Sequence, residues 1–327
     1  MRKFNDLFQC NKGSSLVEVV LAFAIFALIS SSLASLILGA YNIMIRDAEI
    51  AEGRLLANQG MEALRSISER AWNSMTYEKS AINYDLGYWD LTGEGTDEQI
   101  EKYTREILFF DVYRDEENNI VTIDNPEAWL DPASREVEVV VNWDTGFWGN
   151  YEIRRKNYLT NWNTKKWKQN DWSGQIGQAI WLDVDKYDSD DGNIGVATSS
   201  IMLKEIATST YPLSGYFVSS AYKINEYENF NIIEWQATST ATIDCPICEI
   251  RVQIMSAPDE GGVPGAWTTT WSGPEGDDDD ENDYFSEKRG ELISADHATD
   301  QWIKYRVEFI GDGSHTPVLE EMRIRYN

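Results

Sequence analysis

The sequence predicts an α+β protein in which a long N-terminal helix precedes domains built from β-strands. Three observations predict this class. Residues 16–38 are almost wholly apolar, and their number suits a membrane-spanning helix, which needs about 20 such residues. Apolar residues then recur at spacings of three and four as far as Ala71, which is typical of one helix face. Farther on, short β-branched and aromatic runs alternate with polar loops, which indicates antiparallel sheets.

The composition indicates a protein with folded cores and a highly charged surface. The chain has 327 residues, enough for two domains beyond the helix, and 42% of them are hydrophobic, with 13 Trp and 16 Tyr. Its net charge of −27 argues against nucleic acid as a partner and against attraction to anionic lipid surfaces.

Glu18 breaks the apolar run close to its start. An ionised carboxylate in hydrocarbon costs roughly 2.5 kcal/mol or more, so this residue needs a counter-ion. Residues 1–13 form a short basic leader that ends in Lys-Gly. If a protease cuts after Gly13, the new α-amino group of Ser14 lies four residues before Glu18, on the same helix face.

The sequence KGSSLVE at residues 12–18, followed by the apolar helix, resembles the class III signal of type IV pilins and pseudopilins. The resemblance implies that a prepilin peptidase cuts after Gly13 and methylates the new amine, and that Glu18 guides assembly. The chain departs from the family pattern at Ser14, where most members have Phe, and at Ser35, where a Pro is often found. These departures fit a minor pilin or pseudopilin better than a major pilin.

Three other interpretations of this segment compete. An ordinary secretory signal has an apolar region of about 7–15 residues and a cleavage site after it, so this run is too long and Glu18 is misplaced. A plain membrane anchor explains the length but neither the Gly nor the Glu. A lipoprotein would need an apolar segment before Cys10, where the sequence has none.

The charges on either side of the apolar run predict its orientation. The leader is basic, whereas Asp47, Glu49 and Glu52 follow the run, so the positive-inside rule places the bulk of the chain outside. We therefore expect insertion in the cytoplasmic membrane with the C-terminus outside, and then a location at the pilus or cell surface.

The sequence pattern also predicts the domain organisation. We expect a leader at 1–13, a pilin N-terminal helix at 14–75 with its membrane-spanning part at about 16–38, a pilin-type β-sheet globular domain at 76–163, a linker with the first strand or strands at 164–212, and a jelly-roll-like β-sandwich at 213–327. Residues 104–113, 135–143 and 151–162 have the composition of strands, and the globular domain they form resembles those of bacterial minor pilins.

Cys245 and Cys248 form a Cys-Pro-Ile-Cys motif between two predicted strands. A redox site would need a thioredoxin-like βαβ context, and zinc would need two further ligands, although the chain has only two histidines. In an oxidising compartment we expect a structural disulfide. Free thiols and a catalytic or metal role remain the alternatives.

Asp183, Asp185, Asp188 and Asp190 offer the hard oxygen ligands that calcium takes, although their spacing does not match an EF-hand. Calcium at these positions is the one cofactor that the sequence suggests. The acidic run at 277–283 is more typical of a solvated loop, and calcium there is a weaker alternative.

The tryptophans fall into two groups, those in predicted strands and those in a predicted loop. Trp143, Trp235 and Trp302 lie in predicted strands and are expected in the core, since each can bury about 150–250 Å². Trp267 and Trp271 lie in a Gly/Thr/Ser-rich loop and are the candidates for contact with a ligand such as a sugar.

The sequence indicates no enzyme. Only two histidines are available for a Ser-His-Asp arrangement, and both lie in predicted loops. No pair of carboxylates is distinguished by its sequence position as a candidate for glycoside cleavage.

These observations together predict a structural minor pilin or pseudopilin subunit of a type IV pilus or type II secretion-like fibre. The expected partners are other pilin subunits through the N-terminal helix, the prepilin peptidase and the inner-membrane assembly machinery, with surface glycans as a further candidate and no nucleic acid. The alternatives are a non-polymerising, membrane-anchored adhesin or carbohydrate-binding surface protein, which would keep residues 1–13, and a cell-surface hydrolase.

Overall fold

The computed structural model describes residues 14–146, 149–162, 164–226, 228–238, 245–276 and 282–327. The predicted leader with Gly13 and the acidic residues 277–281 lie outside the described residues. The chain divides into two compact units, Met1–Leu56 and Ala57–Asn327.

One uninterrupted helix, α1, runs from Ser14 to Arg70. It continues so far because the sequence contains no proline before Pro126 to remove a backbone donor. Its apolar part is long and hydrophobic enough to cross a membrane, with a mean hydropathy of 2.4, as in membrane anchors and signal sequences. The helix predicted for residues 14–75 ends at Arg70, and a 3₁₀ turn at Trp72–Ser74 follows it.

The described part of the second unit contains twenty strands and a further 3₁₀ turn at Ala295–His297. The strands are β1 (Lys79–Asp85), β2 (Tyr88–Glu94), β3 (Glu98–Ile100), β4 (Tyr103–Arg114), β5 (Ile120–Val121), β6 (Trp129–Asp144), β7 (Asn150–Thr160), β8 (Lys165–Gln169), β9 (Gln175–Ile176), β10 (Lys186–Tyr187), β11 (Ser189–Asp190), β12 (Ile194–Ala197), β13 (Ser200–Leu203), β14 (Ser214–Val218), β15 (Tyr222–Lys223), β16 (Phe230–Thr238), β17 (Glu249–Ala257), β18 (Glu291–Leu292), β19 (Trp302–Ile310) and β20 (Val318–Tyr326).

The first sheet is antiparallel and follows the order β2-β1-β4-β6-β7, with β3 and β5 paired to β4. Its centre is the long pairing of β4 with β6, in which Tyr103 lies opposite Trp143 and Ile107 opposite Val139. Period-2 alternation puts these residues on one buried face, as the composition of 104–113 and 135–143 predicts.

The last turns of α1 bury their apolar face within the second unit. Ala57, Leu64 and Ile67 have no solvent exposure, which matches their spacing on one helix face. Gly60 sits close to Val139 of β6, which places this face against the first sheet. The Arg105 guanidinium of β4 donates to Gln59 Oε1 at 3.1 Å, beside the same contact.

The 3₁₀ turn after α1 joins the first sheet to the strands that follow it. Trp72 Nε1 donates to the Pro132 carbonyl at 3.0 Å. Asn73 Nδ2 donates to the carbonyls of Phe230 at 2.5 Å and Ile293 at 3.0 Å. Through these buried hydrogen bonds, the turn contacts both the first sheet and segments that are distant in the sequence. They stabilise the second unit at the point where the helix ends.

The remaining strands form a β-sandwich, except that β9 and β10 pair in a separate two-stranded parallel sheet. One sheet has the order β11-β14-β19-β15 with β17 paired to β19, and the other has the order β12-β13-β20-β16-β18 with β8 paired to β20. A continuous core lies between them and draws buried residues from both sheets, among them Phe217, Val252, Tyr305, Ile233 and Ile324.

Residues 164–212, for which the sequence predicts a linker with the first strand or strands, belong to the sandwich itself. The segment forms β8 to β13, and it buries Trp167, Trp172 and Tyr187 in the sandwich core. The sequence gives little signal for these strands because they are only two to five residues long, too short for a periodic pattern. Their partners, such as β20 for β8, come from far along the chain.

We expect Gly60→Leu to lower the free energy of unfolding of the second unit by about 1–3 kcal/mol. A Cβ at Gly60 would lie 2.9 Å from Val139 Cγ1 and 3.3 Å from Arg105 Cδ. Gly39→Leu is the matched control, because it gains the same helix propensity with no described atom within 4 Å of the new Cβ. Denaturant unfolding of the full chain in detergent measures both, and equal losses would contradict the close helix–sheet contact.

Candidate functional sites

The first candidate site is the start of α1. Ser14, the residue after the predicted cut, belongs to this helix, and Glu18 is the only charged residue among residues 16–38. The apolar side chains around it are open in the isolated chain, with Leu16 72% and Phe23 69% exposed. A surface of this size and character requires lipid or other protein to cover it.

The serines inside the apolar run suit such an environment. The hydroxyls of Ser31 and Ser32 donate to the Leu28 carbonyl at 2.9 and 2.8 Å. Their hydrogen bonds are therefore made within the helix, so neither hydroxyl needs water.

Cys245 and Cys248 lie in a disulfide just before β17, with their Cα atoms 5.3 Å apart and 1% of each residue exposed. Cys248 N also donates to the Cys245 carbonyl at 3.2 Å, so the bond closes a tight turn. A buried disulfide in this position holds a loop and offers neither thiolate nor metal ligand.

Asp312 and His315 lie near this disulfide, and their ligand-type atoms approach the Cys245 sulfur within 4.8 Å. Because the sulfur is bonded to Cys248, only two donors remain, too few for a zinc site. His315 Nδ1 lies 2.9 Å from Asp312 Oδ2, and this contact, with backbone donors, lowers the pKa of Asp312 to about 2. The pair therefore closes a surface turn.

The four aspartates predicted for calcium are divided between different contacts. The side-chain hydrogen bond to Asp183 raises the pKa of Asp185, which shows two carboxyl groups close together. Asp190 instead accepts from Tyr187 Oη and Gly192 N, both at 2.7 Å. In the part of the chain that the structure describes, none of the four, including Asp188, belongs to a three-residue ligand cluster. Calcium at these positions stays a prediction.

A buried polar cluster surrounds His297, which the sequence places in a loop. Its Nδ1 lies 2.6 Å from Ser256 Oγ, and that hydroxyl donates to the Asp300 carboxylate. Nδ1 therefore carries the proton and donates to Ser256, while Nε2 accepts from Ser272 Oγ at 3.3 Å. Although these are the residue types of a Ser-His-Asp triad, His297 and Ser256 have no solvent exposure, so the cluster is a structural bridge.

The second candidate site is a row of alternating aromatic rings and cations on the outer side of β19. It is named here the cation–aromatic face and consists of Trp267, Lys304, Trp271, Arg306 and Tyr216. Lys304 Nζ lies 4.3 Å from the ring centre of Trp267 and 5.5 Å from that of Trp271. Arg306 Cζ lies 5.1 Å from the ring centre of Trp271 and 6.0 Å from that of Tyr216.

Strand alternation produces this face. On β19 the residues Ile303, Tyr305 and Val307 point into the sandwich core, so Lys304 and Arg306 must point outward. The predicted loop tryptophans Trp267 and Trp271 are half-buried against these cations, whereas the strand tryptophans Trp143, Trp235 and Trp302 are buried as predicted. The sequence identifies the two loop tryptophans, but it gives no sign that the cations of β19 would lie over their rings.

The loop that carries the tryptophans is held at several points. Thr268 N donates to the Ser256 carbonyl at 2.9 Å, and Ser272 and Ile254 exchange backbone hydrogen bonds of 3.0 and 2.8 Å. The His297 cluster joins Ser256 to Ser272 from the other side. The rings are therefore fixed in position by backbone and buried side-chain contacts.

Comparison with known proteins gives little support for any detailed assignment. No protein-family model and no curated protein matches the chain. Among solved structures, it is similar to one described as "Structural basis for the promiscuous specificity of the carbohydrate-binding modules from the beta-sandwich super family". The identity is 11% and the TM-score 0.22, over 71% of this chain and 90% of that chain. A similarity this low carries no argument about the ligand of this protein.

The disulfide determines how many cysteines can be labelled before and after reduction. We expect a denatured, unreduced chain that begins at Ser14 to take no iodoacetamide label and the same chain after reduction to take two, because Cys245 and Cys248 are bonded. A chain that keeps residues 1–13 should take one more label at Cys10 in both states. Intact-mass measurement reads the counts. Labelling of Cys245 or Cys248 without reductant would contradict the bond, whose loss should cost roughly 2 kcal/mol.

Proposed function

We propose that this protein is a minor pilin or pseudopilin. In this proposal α1 inserts in the cytoplasmic membrane, prepilin peptidase cuts after Gly13, and the subunit joins a type IV pilus or type II secretion-like fibre. The observation that carries the proposal is α1 itself. It contains Glu18 within its apolar part and continues unbroken to Arg70, and its last turns pack on an antiparallel sheet.

Assembly into a fibre would cover the exposed apolar surface of α1. Helices of neighbouring subunits would bury side chains such as Leu16 and Phe23 against one another, in place of lipid. Within such a bundle, Glu18 requires a positive charge, and the α-amino group of Ser14 in the same or the next subunit supplies one. Pairing between subunits would also fix their axial register.

The β-sandwich would project outward from such a fibre. Because residues from 165 to the C-terminus contribute strands to it, it is a large addition to a pilin-type domain. So bulky a domain would crowd a repeating shaft, which favours a position near the tip. This chain would accordingly be a minor component with no catalytic role.

The first experiment is the intact mass and N-terminal sequence of the membrane-extracted protein, made with and without its prepilin peptidase. We expect a start at Ser14 only when the peptidase is present, and an added methyl group would show methylation of the amine. A start at Met1 under both conditions would overturn the proposal and leave a plain membrane anchor.

Glu18→Ala should leave membrane insertion intact but abolish incorporation into fibres, because a cationic amine would remain in the bundle without a counter-ion. Glu18→Gln should fail in the same way, since it keeps the shape and removes the charge. Asp47→Ala, which removes an exposed carboxylate beyond the apolar run, is the matched control and should assemble. Immunoblots of sheared fibres against membrane fractions measure incorporation, and normal assembly of Glu18→Ala would contradict the pairing.

The second candidate function is a membrane-anchored adhesin or carbohydrate-binding surface protein that never polymerises. The cation–aromatic face favours it, because fixed indole rings on the surface of a β-sandwich can stack against sugars. Retention of residues 1–13 distinguishes this function from the pilin proposal, so the same N-terminal measurement decides between them.

A further inference from the structure

We propose that the cation–aromatic face binds an acidic polysaccharide, with the sugar rings against Trp267 and Trp271 and the carboxylate or sulfate groups on Lys304 and Arg306. The inference extends the adhesive role proposed for the sandwich. It does not depend on fibre assembly, because the face lies entirely within the sandwich and its loop.

The two cations lack the partners that most cations of this protein have. Among the described residues, neither Lys304 nor Arg306 has a carboxylate within ion-pair distance, although the chain carries 55 acidic residues against 28 basic ones. The nearby Glu308 is engaged elsewhere, since it hydrogen-bonds to Tyr284. The one hydrogen bond that the Arg306 guanidinium makes within the described ranges is to the neutral amide oxygen of Gln253.

The surroundings of Lys304 favour the binding of an anion to its ammonium group. Burial among the indole rings lowers the pKa of its ammonium, which means that lost hydration is not fully replaced. Asp188 favours the charged form but lies outside ion-pair distance. Each cation–π contact compensates for only about 0.5–2 kcal/mol of the hydration free energy that the ammonium has lost. A carboxylate or sulfate would therefore add a stronger, charge-assisted interaction.

The aromatic rings favour a polysaccharide over a simple anion. Trp267 and Trp271 flank Lys304, and Tyr216, 44% exposed, continues the row beyond Arg306. The face therefore alternates apolar rings with cations, as a polymer of acidic sugars alternates ring faces and charges. An inorganic phosphate would use the cations alone and leave the rings without a function.

The geometry is also fixed before any ligand arrives. β19 sets the spacing of Lys304 and Arg306, and the Ser256–His297–Ser272 contacts hold the tryptophan loop. A preorganised face loses little side-chain entropy on binding. The overall charge of −27 opposes an acidic ligand at long range, but at physiological salt such repulsion is screened beyond about 8 Å.

The test is isothermal titration of the full chain in detergent, at physiological salt, with alginate oligosaccharides as the acidic probe. Dextran of matched length is the neutral probe, and inorganic polyphosphate is the anion without sugar rings. We expect binding of alginate, with dextran and polyphosphate at least about tenfold weaker, because each lacks one of the two contacts.

The variants separate the contributions of charge and rings. The double variant Lys304→Gln with Arg306→Gln should weaken alginate binding at least about tenfold, and Trp267→Ala should weaken it while both cations remain. Lys166→Gln is the matched control, because it removes an exposed cation from β8 in the other sheet and should change nothing. Thermal unfolding verifies that each variant is folded, and Lys304→Gln alone replaces the double variant if that one is not.

The outcomes are decisive in either direction. The expected pattern of probes and variants supports an acidic-polysaccharide site, whether or not the chain is cut after Gly13 or enters fibres. The proposal is overturned if the wild-type chain does not bind alginate, if the charge variants bind it equally well, or if dextran or polyphosphate binds as tightly.

Discussion

Leu64 and Ile67 of α1 are completely buried, and the closeness of Gly60 to Val139 places that part of the helix against the first sheet. Burial of a side chain of that size contributes about 1.5–3 kcal/mol. The same backbone continues without a break from the apolar segment that carries Glu18. The apolar segment is therefore continuous with a stretch of helix that makes a tight apolar contact with the sheet.

The turn after α1 extends this connection to the sandwich. Asn73 gives both of its amide protons to carbonyls of the sandwich strands and their loops, in a buried position where an unpaired donor would be costly. Trp72 donates to the first sheet beside it. In the proposed pilin, this short segment would be one link between the sandwich and the end of the assembly helix, beside the hydrogen bond from Asn327 to the Glu69 carbonyl.

The sequence predicted most of what depends on local pattern. The long strands β4, β6, β19 and β20 contain the segments for which β-branched and aromatic composition, or alternation of apolar and polar residues, predicts strands. Short strands such as β8 gave no such signal, because five residues or fewer cannot establish a period and their pairing is with distant segments. The sequence likewise did not predict the His297 cluster, since Ser256 and Ser272, whose hydroxyls contact the His297 ring, come from separate segments of the chain.

The sequence by itself determined the apolar helix, the predicted cleavage position and Glu18, because these depend on residues that are close along the chain. It also identified Trp267 and Trp271 as unusual. Only the tertiary structure put Lys304 and Arg306 over those rings and left both cations without carboxylate partners among the described residues. Strand alternation fixes which way a side chain points, but what lies above it depends on sheet pairing and loop anchoring between distant segments.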